Sequence, residues 1–261
     1  LANQPSLLDP IRTANYTIHA GVRFGGLVRM IGGFPEASSF GFYSLGLLGF
    51  WLQFWLLTRG RLALLMLALS AAVLILSTSS ASYVSVALFI VAGGAVKLLM
   101  WVRASVARGA LSLAGGVLLV ALLFALALFA AYQTIDPVTS FLDDILFDKA
   151  SSDSGVERAS WNQQAWQNFR DTWGLGAGLG SVRASSWILA VLASIGLPGA
   201  VVMLGFLLSV FRLPTQTGQP ARDATVSGLK SACLAMLVSA MLTSSTPDLG
   251  VFFFALAWLA A

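Results

Sequence analysis

Arginine is the residue type in this sequence whose placement could do chemistry. Six arginines stand in polar segments away from the other basic residues: Arg12, Arg23, Arg29, Arg158, Arg170 and Arg183. A guanidinium binds phosphate through paired hydrogen bonds and keeps its charge when buried. The chemistry would be binding of a phosphate or pyrophosphate. The alternative, which the sequence leaves open, is ion pairing with nearby carboxylates: Asp143, Asp144, Asp153, Glu157 and Asp171.

Three of these arginines favour the phosphate interpretation by their position. Arg158 falls on the aromatic side of a predicted helix, and Arg29 and Arg183 stand close to the ends of apolar segments. Alternating glycines in residues 174–180 precede Arg183, and their backbone N–H groups could form an anion-binding nest. A flexible turn before a helix is the slightly favoured interpretation of the same glycines. No predicted strand precedes them, so they are not a dinucleotide fingerprint.

Glu36 is the candidate general base. It follows Pro35 and precedes Ser38 at the predicted start of an apolar helix. A carboxylate at the mouth of a cavity can accept a proton from a reacting hydroxyl. It can also do no more than stabilise the positive end of the helix dipole, and taken alone this second role is favoured. His19 is the only histidine and has no cysteine partner, so neither a metal site nor another cofactor is predicted.

The elements that position these residues are those of a membrane protein. Hydrophobic residues make up 57% of the chain and charged residues 10%, whereas soluble domains have about 25% charged residues. The net charge of +4 comes without a basic run, so no nucleic-acid partner is expected. A spanning helix needs roughly 20 apolar residues. The predicted spans are residues 38–57, 62–76, 83–100, 110–132, 187–211 (interrupted at 196–199), 229–242 and 249–261.

Basic residues divide the connecting segments into two sides. One side carries Arg59, Arg61, Lys97, Arg103, Arg108, Arg212, Arg222 and Lys230, and the positive-inside rule makes it cytoplasmic. Residues 1–37, the Ser/Thr-rich residues 77–82, the long segment 133–184 and residues 244–250 are then external. Ionisable residues are nearly absent within the spans, which disfavours a proton or ion pathway.

The long external segment contains a predicted amphipathic helix at residues 155–171. At helical spacing, Trp161, Ala165 and Phe169 share one face. The opposite face carries Ser160, Gln164, Gln167 and Asp171. Such a helix would lie at the membrane interface or cover a cavity.

Several of these segments resemble the O-antigen ligase/polymerase superfamily of bacterial membrane proteins. Residues 29–38 resemble the segment before a span in O-antigen and exopolysaccharide polymerases, and residues 76–83 resemble a polar break between two spans. The strongest similarity runs from Glu157 through Trp161, Phe169 and the glycine-rich stretch to Trp187, followed by residues 196–199. It resembles the large periplasmic loop and the following helix of the superfamily.

The resemblance implies a GT-C-like glycosyltransferase in the bacterial inner (cytoplasmic) membrane, of which this chain would be the C-terminal part. Its substrate would be an oligosaccharide on undecaprenyl diphosphate, presented at the periplasmic face. A polymerase transfers the glycan to the next lipid-linked repeat unit, and a ligase transfers it to the lipid A core of lipopolysaccharide. A chain-length regulator would be a further partner. Ligases typically carry a His-Asn pair where this chain has Ser185 and Ser186, and a frequent acidic position holds Ser194, which favours the polymerase.

The sequence therefore predicts an all-α integral membrane protein with about seven transmembrane helices. It would comprise an external segment 1–37, four spans within 38–132, a periplasmic loop 133–184 and three spans within 185–261. Glu36 and Arg158 are the predicted catalytic residues. The predicted ligands of the donor pyrophosphate are Arg29, Arg158, Arg170 and Arg183. The alternative is a transporter or flippase that binds a lipid-linked or anionic solute without chemistry.

Overall fold

The computed structural model describes residues 23–24, 27–28, 30–34, 36–106, 153–213 and 218–261. The predicted span 110–132, the acidic first part of the long loop, and Arg12, His19 and Arg29 lie outside the described residues. The chain divides into two compact units, residues 1–86 with 159–261 and residues 87–158.

The regular secondary structure of the described residues is helical, apart from a two-residue antiparallel pair, β1 (Arg23–Phe24) with β2 (Leu27–Val28). The helices are α1 (Ala37–Thr58), α2 (Arg61–Leu76), α3 (Ser80–Val106), α4 (Asp153–Asp171), α5 (Trp187–Arg212), α6 (Pro220–Thr243) and α7 (Gly250–Leu259). Among them, α1, α5 and α6 are long and apolar enough to cross a membrane. The described chain thus has the fold of an α-helical membrane protein, and the count of seven spans stays a prediction.

Two helices start earlier than the hydropathy pattern predicts. α6 begins at Pro220, nine residues before the predicted residue 229, and therefore includes Arg222 and Lys230. Proline suits the first turn because its missing N–H has no partner there, and Asp223 in that turn complements the helix dipole. α3 begins at Ser80 rather than at Tyr83. Apolar periodicity locates the membrane-facing part of a helix and not its polar first turns.

Helix α6 is central to the packing of the first unit and contacts α1, α5 and α7. Its core side chains include Cys233, Met236 and Ala240, which pack with Phe253 of α7. Glycines bring α1 close to α6: a Cβ on Gly46 would lie 2.8 Å from Cγ of Met236. Close approach at small residues is typical of packing between membrane helices.

The polar break between α2 and α3 is buried, although its composition resembles an exposed loop. Ser77, Ser79 and Ser82 are each at most 4% exposed. Gly41 of α1 makes room for them, because a Cβ there would overlap Oγ of Ser82. The N–H of Met30 donates to the carbonyl of Leu76 at 3.0 Å, which ties the segment before α1 to the end of α2.

Candidate functional site

Contacts between the helices of the first unit show which helix ends lie together. Phe50 of α1 lies against Gly228 near the start of α6, and Gly46 lies against Met236 further along α6, so the two helices are antiparallel. Trp187 at the start of α5 donates from Nε1 to the carbonyl of Pro247 at 3.0 Å. At the other end of α5, Nζ of Lys230 donates to the carbonyl of Leu213.

One end of the unit holds the starts of α1 and α5 and the turn between α6 and α7. It is called the external end below, after the orientation predicted from the sequence. The opposite end holds the C-termini of α1 and α5, the start of α6 and their basic residues: Arg59, Arg61, Arg212 and Arg222. This grouping is the one that alternating membrane spans require.

At the external end, Arg183 stacks on Trp161. The guanidinium carbon lies 3.8 Å from the centroid of the indole ring, within the range of a cation–π contact. Trp161 is half-buried on α4, whereas Arg183 is exposed. Within the described residues, no carboxylate forms an ion pair with Arg183. The contact holds the guanidinium against the face of the indole ring and leaves its N–H groups available to an anion.

Backbone contacts fix the segment that carries Arg183. Its neighbours Val182 and Ala184 are buried, whereas the side chain of Arg183 between them is exposed. The N–H of Ser185 donates to Oδ1 of Asn162 at 2.7 Å, and Asn162 follows Trp161 on α4. This hydrogen bond joins the segment that carries Arg183 to the helix that carries Trp161, and so holds the two side chains together.

Small residues let α4 dock beside this segment. Ala165 of α4 is 0% exposed and clusters with Val182, Ala184, Ala190 and Ala193. The buried face of α4 is the one predicted from sequence, since Gln164, Gln167 and Asp171 are exposed. Helix α4 is two residues longer at its start than predicted.

Glu36 lies at the external end as the N-cap residue of α1. Its carboxylate is exposed and accepts a hydrogen bond from Oγ of Ser38 at 3.0 Å. Its carbonyl accepts the first helical bond, from the N–H of Phe40 at 3.1 Å. The position agrees with the dipole role and leaves the carboxylate accessible to a substrate hydroxyl.

Arg170 does not lie beside Arg183. Arg170 is exposed in the last turn of α4. It lies nine residues after Trp161, which at 3.6 residues per turn puts it on the opposite side of the helix, about 180° away. Arg158 is half-buried on α4, and Arg29 lies outside the described residues.

The glycine-rich segment is not an open anion nest, because most of its amides are already bonded. The N–H groups of Gly174 and Leu175 donate to the carbonyls of Phe169 and Thr172 at 2.9 and 3.0 Å. The N–H of Gly176 donates to Oγ1 of Thr172 at 3.1 Å. The next two amides bond to α5.

Helix α5 is broken at Gly196, whose φ and ψ are 67° and −171°, and the glycine-rich segment bridges the break. Pro198 has no N–H to donate to Ser194, and the break turns the N–H of Leu197 away from Ala193. The N–H groups of Ala177 and Gly178 donate to these two carbonyls at 2.7 and 2.9 Å. In return, the N–H of Leu197 donates to the carbonyl of Gly174 at 2.8 Å.

Comparisons of the chain with protein-family models, with curated proteins and with solved structures find no match.

Sequence reasoning missed two residues that shape this end of the molecule. Asn162 holds the segment carrying Arg183, and Thr172 accepts from Gly176 while donating to the carbonyl of Asn168 at 2.8 Å. Neither residue is part of a spacing pattern in the sequence. Each accepts a hydrogen bond from a backbone N–H group that only the fold brings close. The interruption at residues 196–199 was predicted, but its bridging by the glycines was not.

Proposed function

We propose that the chain is part of a membrane polysaccharide polymerase. It would transfer a glycan from undecaprenyl diphosphate to a second lipid-linked repeat unit at the periplasmic face. The observation that carries the proposal is the Arg183–Trp161 pair. It places an oriented guanidinium, without a carboxylate partner among the described residues, at the end of the unit opposite Arg59 and Arg212. The positive-inside rule does not account for an arginine there.

The proposed reaction requires an anion-binding group near the membrane surface. A hydroxyl of the acceptor sugar attacks the anomeric carbon of the donor, and the bond from that carbon to the diphosphate oxygen breaks. Negative charge develops on the departing undecaprenyl diphosphate. A fixed guanidinium stabilises that charge in the transition state more than in the ground state, which lowers the barrier.

Glu36 is the proposed acceptor of the proton released by the attacking hydroxyl. Its exposed carboxylate, at the external end, is hydrogen-bonded only to a neighbouring serine hydroxyl among the described contacts. Arg158 and Arg29 remain proposed ligands of the diphosphate. Arg170 would contribute from the other side of α4, where it would contact the glycan or the second phosphate rather than the group bound by Arg183.

A transporter or flippase for a lipid-linked anion is the second candidate, favoured by the broken helix α5. Discontinuous membrane helices are common at transporter binding sites. The broken backbone of α5 is, however, bonded to the glycine-rich segment, which leaves those groups unavailable to a solute. The ligase is disfavoured because Ser185 and Ser186 stand where the ligases carry a His-Asn pair.

The test in cells uses the full-length protein in its native host. Arg183 and Arg158 are changed singly to lysine and to alanine, and the polysaccharide is separated by length. Loss of long chains with retention of single repeat units supports a polymerase. Loss of all glycan on the lipid A core, with long chains still on the lipid carrier, indicates a ligase. A normal length distribution in all four variants contradicts the diphosphate assignment.

A further inference from the structure

Three side chains of the glycine-rich segment point away from the protein. Trp173, Leu175 and Leu179 are 92%, 69% and 74% exposed. No charged residue lies between Asp171 and Arg183. A soluble loop would present polar side chains at such positions, because exposed apolar surface is unfavourable in water. A contiguous apolar patch marks contact with a partner or a membrane.

The depth of the break in α5 favours the membrane over a partner protein. The hydrocarbon core of a bilayer is about 30 Å thick, which corresponds to about 20 helical residues. Counted back from Arg212 at the basic end, that length reaches residue 193. The break at Gly196 therefore falls inside the hydrocarbon boundary. A tilt of residues 197–212 shortens their rise along the membrane normal, so it would move the break deeper rather than outward.

The glycine-rich segment lies at the same depth, because it is bonded to this break. Ala177 and Gly178 donate to the carbonyls of Ala193 and Ser194. A Cβ on Gly176 would lie 2.6 Å from the backbone nitrogen of Gly196, so the two backbones are in direct contact. The segment therefore shares the depth of the break.

Six of the eight backbone N–H groups of residues 173–180 are paired within the protein, and those of Leu179 and Gly180 have no partner among the described hydrogen bonds. Backbone polar groups at the depth of the hydrocarbon must be paired within the protein, because lipid offers them no partner. Here five consecutive amides, Gly174 to Gly178, are bonded to α4, α5 or Thr172. The hydroxyl of Ser181 donates to the carbonyls of Ala177 and Gly178 at 2.8 and 2.7 Å.

The exposed apolar side chains of the segment also adjoin exposed apolar side chains of α5. A Cβ on Gly174 would lie 3.5 Å from Cδ1 of Leu197. Leu197 and Val201, one turn apart on α5, are 55% and 67% exposed. Tryptophan is enriched where hydrocarbon meets the headgroups, and Trp173 begins the segment.

We propose that residues 173–180 are immersed in the outer leaflet of the bilayer, where Leu175 and Leu179 contact lipid acyl chains and Trp173 lies among the headgroups. The proposal rests on α5 crossing the bilayer and not on the polymerase activity. It moves this part of the predicted periplasmic loop into the membrane. Arg183, three residues further, then lies at the lipid surface, at the height of a lipid-linked phosphate.

The test is site-directed fluorescence in the full-length protein, reconstituted in phosphatidylcholine/phosphatidylglycerol vesicles. Cys233 is the only cysteine of this chain and is fully buried, so the parent protein gives the labelling background, with any cysteine outside this chain replaced. Single cysteines are introduced as Leu175→Cys and Leu179→Cys and labelled with an environment-sensitive dye. The matched controls are Gln163→Cys and Gln167→Cys, on the exposed polar face of α4.

The expected result is blue-shifted emission at positions 175 and 179, quenched by doxyl-labelled phosphatidylcholine and not by iodide. Positions 163 and 167 should show the reverse. Quenching of 175 and 179 by iodide, equal to that of the controls, overturns the proposal. Blue-shifted emission without quenching by labelled lipid also overturns it, since protein then covers the patch. If the Leu175→Cys protein is not monodisperse, the emission and quenching of the dye at position 179 alone test the proposal.

Discussion

Gly176 and Gly196 touch through their backbones, and neither has room for a side chain. A Cβ on Gly176 would lie 2.6 Å from the nitrogen of Gly196, and a Cβ on Gly196 would overlap the carbonyl group of Leu175. Both glycines have positive φ, 85° and 67°. This contact joins the segment before Arg183 to the break in α5.

Replacing Gly176 by alanine should destabilise the protein more than replacing Gly180. Gly180 has nearly the same φ, 83°, but a Cβ added to it would meet nothing within 4 Å. Gly180→Ala therefore measures the left-handed strain alone, about 1–2 kcal/mol. Gly176→Ala adds a clash with backbone atoms, which cannot move as a flexible side chain can. The measurement is thermal unfolding in detergent. Equal losses in the two variants would show that the close contact is absent.

The bond from Ser185 to Asn162 should be needed to orient Arg183. Asn162→Ala removes the acceptor of a partly buried N–H and should cost about 1–3 kcal/mol of stability. Asn162→Asp keeps the acceptor but adds a negative charge near Arg183. We expect it to retain stability and to lower the activity, because the new carboxylate competes with an anionic substrate. Gln163→Ala, at an exposed neighbouring position, is the control and should change neither quantity.

An Asn162→Asp protein as active as the parent protein would contradict the proposal that Arg183 binds the anionic substrate. The stability of both variants is read from their unfolding midpoints. Activity is read from the length of the polysaccharide that each produces.

Packing of α1 on α6 should depend on the absence of a side chain at Gly49. A Cβ there would lie 2.8 Å from Cβ of Ala235 and 2.9 Å from the carbonyl oxygen of Ser231. Gly49→Leu overfills this contact and should destabilise by at least the roughly 1–3 kcal/mol typical of overpacking. Gly205→Leu is the matched control, because nothing lies within 4 Å of a Cβ at that position of α5.

The measurement for this pair is the fraction of protein that stays monodisperse in a harsh detergent. A Gly49→Leu protein as resistant as Gly205→Leu would contradict the antiparallel contact between α1 and α6.

The sequence was a good guide to the elements that hydropathy and periodicity control. α1 and α2 match their predicted spans to within one residue at each end. The buried face of α4 and the break in α5 were also predicted. The polar start of α6 was not, since Arg222 and Lys230 look like loop residues although helix geometry accommodates both.

Contacts between segments distant in the chain could not be read from the sequence. The glycines of residues 174–180 are equally compatible with a nest, a flexible turn or a bridge. The structure shows that they bridge the break in α5, because the carbonyls of Ala193 and Ser194 lie within hydrogen-bonding distance of them. The stacking of Arg183 on Trp161 likewise depends on how α4 docks through Ala165. The predicted roles of Glu36, Arg29, Arg158 and Arg170 stay predictions.

The central claim is that Arg183, held by Trp161, binds the diphosphate of a lipid-linked glycan during its transfer. A matched control exists at the opposite end, where Arg59 stacks on Trp55 with its guanidinium carbon 4.9 Å from the ring centroid. Each arginine is exposed. Removing either one deletes the same charge and the same type of contact, but only one lies on the side of the proposed substrate.

The most direct measurement is elongation of undecaprenyl-diphosphate-linked repeat units by the purified full-length protein. We predict a ladder of longer lipid-linked products with the parent protein and with Arg59→Ala. Arg183→Ala should lower the rate roughly 100-fold, the loss typical of removing one group that stabilises transition-state charge. Arg183→Lys should fall between them, since it keeps the charge but loses the planar fork. Absence of elongation by the parent protein, or equal rates for Arg183→Ala and Arg59→Ala, would contradict the account.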